Sequence, residues 1–181
     1  MAVLIAGCVT TDTTSPDGAF AAIAPCMDKR DMRCLYFGLD RESQWSVQTM
    51  HRTLGKIRVL ALRSYPENMR DSAYGSWRHE AAADDPPDLF ARFCRRNQCM
   101  ARLVRGFGAV TRATPVHSDM VQIDTTRGER FEMSRADGRW GLGLYRVELQ
   151  QAKIHLLDRL RQVEKNAREY DQQRTAGVEV K

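Results

Sequence analysis

The sequence predicts an α+β fold in which helices come first and an antiparallel sheet follows. Three observations support this order. Over residues 16–106, apolar residues recur every three or four positions, which is typical of helices packed on a core. Between 109 and 144 the spacing shortens to two, as in half-buried strands. A single long helical pattern then occupies 147–174.

Capping and helix-breaking residues divide the helical half. Ser15-Pro16 has the N-cap and first-turn residues of a helix start. Asp40 can cap a longer helix that should end before Pro66, and 67–82 continues as a weaker helical pattern. Pro86-Pro87 starts the last part of this half. The apolar positions of these helices are Phe20, Ile23, Met27, Met32, Leu35, Tyr36, Leu39, Trp45, Thr49, Leu54, Ile57, Leu60, Ala61, Met69, Ala73, Trp77, Leu89, Phe90, Phe93, Met100, Leu103 and Val104.

Two compact turns mark the predicted sheet. Residues 126–129 and 136–139 both contain glycine, and the second includes the Asp-Gly pair that favours a tight hairpin. They separate strands whose apolar residues alternate with polar or small ones. An antiparallel meander of about four strands, large enough to cover one helical layer, is therefore predicted. Its strands lie near 109–116, 121–123, 131–133 and 140–144.

Composition excludes several classes of protein. The chain has 181 residues, which suits one ordinary domain, and 43% hydrophobic residues argue against wholesale disorder. A net charge of +5 without dense Lys/Arg tracts disfavours nucleic acid as a partner. No apolar run approaches the ~20 residues that a membrane-spanning helix needs. Any membrane association should therefore come from an anchor.

The segment Ile5-Ala6-Gly7-Cys8 resembles the lipobox of bacterial lipoproteins. The resemblance implies cleavage before Cys8, a diacylglycerol on its thiol, and, with Val9 next, sorting to the outer membrane facing the periplasm. Residues 1–8 would then be a truncated signal with its lipobox, and 9–15 a polar tether. The alternative is a buried strand at 2–5 in a cytoplasmic protein whose cysteines stay reduced.

Four further cysteines fit an oxidising compartment, because their number is even. A disulfide between Cys26 and Cys34 and another between Cys94 and Cys99 would close the shortest loops. Free buried thiols are the alternative. The spacing does not match the ligand patterns that zinc prefers, so no metal and no cofactor are expected.

The predicted helix at 147–174 should extend beyond a small domain, since 28 residues at 1.5 Å each reach roughly 40 Å. Its apolar stripe could pack back on the helical layer or pair with an envelope protein or a second copy of the chain. A flexible tail at 175–181 would follow. The candidate interface consists of Leu149, Leu156, Leu160, Val163, Ala167 and Tyr170.

An arginine-rich segment is the second candidate surface. No acidic residue lies between Asp88 and Asp119. Guanidinium groups bind phosphate and carboxylate through paired hydrogen bonds, so this segment could contact headgroups or an acidic partner; an ordinary solvated helix face is the alternative. The arginines are Arg92, Arg95, Arg96, Arg102, Arg105 and Arg112.

Residues 16–146, with a helical first half, a curved sheet and Gly138-Arg139-Trp140 opening the last strand, resemble the NTF2-like superfamily. That resemblance implies a pocket between helices and sheet, in either an enzyme or a binding domain. Asp40 and His51 read instead as a helix cap and a packed histidine, and no catalytic motif is present. The favoured function is a lipid-anchored, non-enzymatic binding or structural module; the alternative is an NTF2-like ligand-binding or catalytic domain.

Overall fold

A computed structural model describes residues 12–176, and it confirms the α+β order. Helices and 3₁₀ segments precede a four-stranded sheet, and a long helix follows it. The elements are α1 (Pro16–Asp28), α2 (Met32–Tyr36), α3 (Arg41–Ser64), two 3₁₀ segments (Glu67–Trp77 and Glu80–Ala82), α4 (Pro86–Arg96), α5 (Cys99–Gly106), β1 (Val110–His117), β2 (Met120–Thr125), β3 (Arg130–Ala136), β4 (Arg139–Leu142) and α6 (Arg146–Thr175).

Side-chain caps fix four of the helix starts. Ser15, Asp31, Asp40 and Asp85 each accept a hydrogen bond from the backbone N–H three residues later, at 3.2, 3.0, 2.8 and 2.7 Å. These bonds satisfy donors that have no partner within the helix. The predicted starts at Ser15 and Asp40 are therefore confirmed, while the Asp31 cap is an addition from the structure.

The sheet is an antiparallel meander in the order β1-β2-β3-β4. Ile123 and Met133 point into the core and are fully buried, whereas β1 is largely exposed along an edge of the sheet. Helix α1 covers the buried face, where the Phe20 ring lies 4.6 Å from that of Phe107 and 5.5 Å from that of Phe131. These aromatic contacts join α1 to β3 and to the segment that leads into β1.

Helices α3 and α6 form a parallel pair along the whole length of α3. Ser46 donates a hydrogen bond to Gln150 (3.3 Å) near their N-terminal ends, and Ser64 donates one to Asp171 (3.0 Å) near their C-terminal ends. At 1.5 Å per residue, the 24 residues of α3 give a surface roughly 36 Å long. The later half of α6 therefore packs on α3, which confirms the alternative that it packs back on the helical layer and corrects the expectation that it projects away from the domain.

The carboxylate of Asp40 connects both helices to the sheet. Besides capping α3, it accepts hydrogen bonds from the Ser134 hydroxyl on β3 (3.1 Å) and from the Arg146 guanidinium at the start of α6 (3.1 Å from Nε). Asp40 is 1% exposed. Burial disfavours the charged form of Arg146, but the hydrogen bond and charge of Asp40 outweigh it and raise the pKa of Arg146.

Strand β4 lies directly against the backbone at Asp40. The Asp40 N–H donates to the Leu142 carbonyl (2.9 Å), and the Leu142 N–H donates to the Gly38 carbonyl (2.8 Å). A Cβ atom on Gly141 would come within 2.6 Å of the Asp40 Cα. Glycine is thus required at 141 because two backbones meet there.

We expect Asp40→Ala to lower the free energy of unfolding by roughly 3–5 kcal/mol, because it removes one partner of a buried, hydrogen-bonded ion pair. Asp40→Asn should cost roughly 1 kcal/mol less, since asparagine remains a good N-cap. Urea unfolding followed by circular dichroism measures both values.

Arg161→Ala serves as the control. Arg161 pairs with Asp158 on the exposed side of α6, so its loss should change stability by no more than about 0.5 kcal/mol. Equal effects of the Asp40→Ala and Arg161→Ala substitutions would contradict a central role for Asp40.

Candidate functional site

The predicted lipidation site, Cys8, and its lipobox lie outside the described residues. The end of the predicted tether is described and contacts the domain. The Trp140 N–H on β4 donates a hydrogen bond to the Thr13 carbonyl (3.0 Å), and Asp12 accepts one from the Thr14 N–H (2.9 Å). The N-terminal segment therefore joins the folded domain beside β4.

The predicted helix interface of α6 is an intramolecular contact. Five of its six residues are buried against the rest of the chain, and the Tyr170 ring packs edge-on against that of Tyr65 at 4.9 Å. This corrects the assignment of the stripe as a partner surface, because α3 already covers it. The buried residues are Leu149, Leu156, Leu160, Val163 and Ala167.

The six candidate arginines do not form one open surface. Arg92 donates to Asp88 (2.9 Å) and to the His79 carbonyl (3.1 Å). The set is divided among α4, α5 and β1, and Arg102 on α5 lies near Glu148 (3.5 Å). Within residues 12–176 no ion pair involves the remaining exposed members, Arg95 and Arg105 on α4 and α5 and Arg112 on β1.

Arg96 illustrates a structural role for this arginine-rich segment. Its guanidinium lies 4.5 Å above the Trp77 ring, 3.1 Å from a carboxylate oxygen of Glu80, and within hydrogen-bonding distance (3.0 Å) of the Ser76 carbonyl. Glu80 is 1% exposed, so Arg96 provides the opposite charge that a buried carboxylate needs. This arginine therefore stabilises the fold rather than presenting a site for an external anion.

Arginines hold the 3₁₀ segments to the neighbouring helices. From α6, Arg159 donates to the carbonyls of Ala73 (2.9 Å) and Ser72. From α4, Arg92 and Arg96 bond to the carbonyls of His79 and Ser76. A 3₁₀ helix has poorer hydrogen-bond geometry than an α-helix, so these external donors compensate for it. The pattern explains why the predicted weak helix at 67–82 is ordered.

The cysteines separate into one bonded pair and two thiols. Cys26 and Cys34 form a disulfide, with Cα atoms 5.4 Å apart, that joins α1 to α2. Cys94 and Cys99 are free, which corrects the expectation that they pair. Burial, and then the contact with Cys99, raises the pKa of the Cys94 thiol. Disulfide formation starts from a thiolate, and this environment disfavours one.

An aromatic cleft lies between α3 and the β3–β4 hairpin. It has a volume of about 460 Å³, and three of its aromatic side chains reach solvent: Phe37 (67% exposed), Trp45 (58%) and the half-buried Trp140. The helical spacing predicts Trp45 in the core, but the structure places it on the outer side of α3, with Lys153 over its ring at 5.3 Å. We call Phe37, Trp45 and Trp140 the aromatic face.

Polar residues complete the cleft. Arg41 forms an exposed ion pair with Asp137 at the hairpin turn, and Arg139 is exposed at the start of β4. Asp40 also lines the cleft, but its carboxylate is already used by Ser43, Ser134 and Arg146. An acid–base role would require that network to break. The arrangement is suited to contact through aromatic rings rather than to proton transfer.

Other chemistry-bearing residues have structural surroundings. His51 lies 3.4 Å from the Ala83 carbonyl on the partly buried side of α3. Between residues 12 and 176, no three His, Cys, Asp or Glu side chains are grouped as a metal would need. In the same range no helix combines the length and apolar character of a membrane span.

We expect Arg159→Lys to loosen residues 67–77. Losing roughly 1.5 kcal/mol of charge-assisted hydrogen bonding should speed their amide exchange about tenfold. Hydrogen–deuterium exchange with mass spectrometry measures this, and Arg161→Lys, on the exposed side of α6, is the matched control. Unchanged exchange in the Arg159→Lys protein would show that the segment does not depend on this side chain.

Comparison with known proteins identifies no relative: no family model, no curated protein and no solved structure matches this chain.

Proposed function

We propose that this chain is a lipid-anchored protein of the bacterial envelope, on the outer membrane and facing the periplasm. Its folded domain would act as a non-enzymatic binding or structural module. The carrying observation is the segment Ile5-Ala6-Gly7-Cys8 with the polar stretch that follows it. A lipid on Cys8 would hold the domain at the membrane, since acyl chains bring about 0.8 kcal/mol for each buried methylene.

The disulfide between α1 and α2 supports the same compartment. Disulfides persist in the periplasm and are rare in the cytosol of most bacteria. Cys26 is buried and Cys34 half-buried, so the bond is part of the packed contact between α1 and α2. A chain whose first two helices are cross-linked in this way suits an oxidising environment.

The internal use of polar groups supports a non-enzymatic role. The buried carboxylate of Asp40 accepts hydrogen bonds from three elements, and that of Glu80 faces Arg96. A general acid or base must be able to exchange protons with a substrate. The Asp40 carboxylate is instead occupied by hydrogen bonds that hold the fold together, and the buried Glu80 carboxylate forms an ion pair with Arg96, although neither of its oxygens accepts a hydrogen bond.

One observation supports a second candidate function. An NTF2-like ligand-binding or catalytic domain would need a concave site, and the aromatic cleft of about 460 Å³ lies within the range of small-molecule pockets. Trp45 and Trp140 could stack on a flat ligand there. Binding of a small ligand that is lost on Trp45→Ala would favour this alternative.

Lipidation is tested by expressing the gene from its native locus, with upstream DNA, as wild type and as Cys8→Ser. We expect the wild-type chain to sediment with membranes and to begin at Cys8 with the added mass of acyl chains. Because the thiol is the acylated atom, Cys8→Ser should leave the membrane fraction. Intact-mass spectrometry and membrane fractionation provide both results.

Cys34→Ser is the matched control, since it replaces another cysteine by the same residue. It should keep the acyl mass and membrane association while losing the disulfide to Cys26. An unmodified wild-type chain that begins at Met1 and stays in the soluble fraction would refute the proposed anchor.

A further inference from the structure

The aromatic face contains large aromatic side chains that the fold leaves exposed to solvent. Among the described residues, Phe37 and Trp45 are the most exposed aromatic side chains, and both line the same cleft as Trp140. Trp45 also borders an adjoining cleft of about 710 Å³ that reaches Met120 and Arg135. Clustered exposed aromatic residues indicate a contact surface, because burying them elsewhere would stabilise the chain.

The N-terminal segment enters the domain at this face. Its Thr13 carbonyl is hydrogen-bonded to the backbone of Trp140, a member of the face. Thr13 follows Cys8 by five positions, and an extended chain spans at most ~3.6 Å per position, so a lipid on Cys8 can be attached no more than roughly 18 Å from Thr13. A lipid on Cys8 would therefore keep the aromatic face close to the headgroups.

We infer that the aromatic face rests on the lipid bilayer when the chain is anchored; this rests on the proposed function. Tryptophan prefers the membrane–water interface, where its ring meets acyl chains and its N–H meets polar groups. Phenylalanine contributes apolar area at the same depth. Arg139, exposed beside Trp140, can donate hydrogen bonds to lipid phosphates.

This contact determines the orientation of the domain. Arg41 at the start of α3 lines the aromatic cleft, and Arg146 at the start of α6 lines the adjoining one. The two helices are parallel, so both begin on the membrane-facing side of the domain. Their C-terminal ends, near Ser64 and Asp171, would then lie at the far end of the pair, roughly 36 Å along α3 from Arg41.

Tryptophan fluorescence tests the inference without relying on cellular acylation. The purified full chain is coupled through Cys8 to a maleimide phospholipid in phosphatidylcholine vesicles whose acyl chains carry bromine near the headgroup. Cys94 and Cys99 are buried and Cys26 is bonded to Cys34, so Cys8 is the reactive thiol. We expect bromine to quench Trp45 and Trp140 but not the buried Trp77.

Two variants locate the contact. Trp45→Phe with Trp140→Phe should lose most of the quenching, leaving only the signal of Trp77. Val59→Ser with Leu62→Ser removes residues that are 62% and 55% exposed farther along α3, and it should leave quenching unchanged. Circular dichroism confirms that each variant remains folded.

An anchored wild-type chain with no quenching, and with Trp45 open to the aqueous quencher iodide, would overturn the inference and assign the face to a soluble partner. Equal loss of quenching in both double variants would overturn it as well. Failure of the proposed function is recognised separately, by the absence of acyl mass on Cys8 in cells.

Discussion

The Asp40 carboxylate is shared by elements that are far apart in the sequence, and their relative positions depend on it. One oxygen caps α3, while the other meets Ser134 on β3 and Arg146 on α6. A buried carboxylate is tolerated only when its hydrogen bonds and charge are satisfied, so Ser134 and Arg146 must both contact Asp40 in the folded chain. The starts of α3 and α6 are thereby held side by side, and the parallel packing of the two helices follows from that starting point.

Arginine has a related structural role in the 3₁₀ region. Carbonyl groups at 72, 73, 76 and 79 receive guanidinium donors from α4 and α6. Five donors in a planar group allow one arginine to bind two carbonyls, as Arg159 does, or a carbonyl and a carboxylate, as Arg92 does, in a geometry that lysine cannot reproduce. The excess of basic residues in this protein is therefore partly a consequence of an irregular backbone that needs external donors.

Local physical rules explain which features could be predicted from the sequence. Caps and spacing depend on neighbouring residues, so the starts at Ser15 and Asp40 and the change from helices to strands were recognisable. The stripe on α6 was recognised as apolar, but the sequence left open whether it packs on the helical layer or on a partner, because α3 lies more than 80 positions earlier. Trp45 was misassigned since a helix has two sides, and spacing alone does not show which side an isolated aromatic residue occupies. The roles of Arg96 and Arg159 likewise depend on carbonyls that only the tertiary fold brings near.

The position of the aromatic face follows from the same network. Asp40 sets the start of α3, and the backbone bonds between Asp40 and Leu142 place β4 beside it. Trp45 and Trp140 consequently share one cleft, with Thr13 hydrogen-bonded at its edge. A single anchor would restrict only the distance of the domain from the membrane, whereas several aromatic contacts around the attachment point would also restrict its tilt. In the proposed arrangement, the buried carboxylate that pairs the two long helices also places their N-terminal ends on the membrane-facing side of the domain.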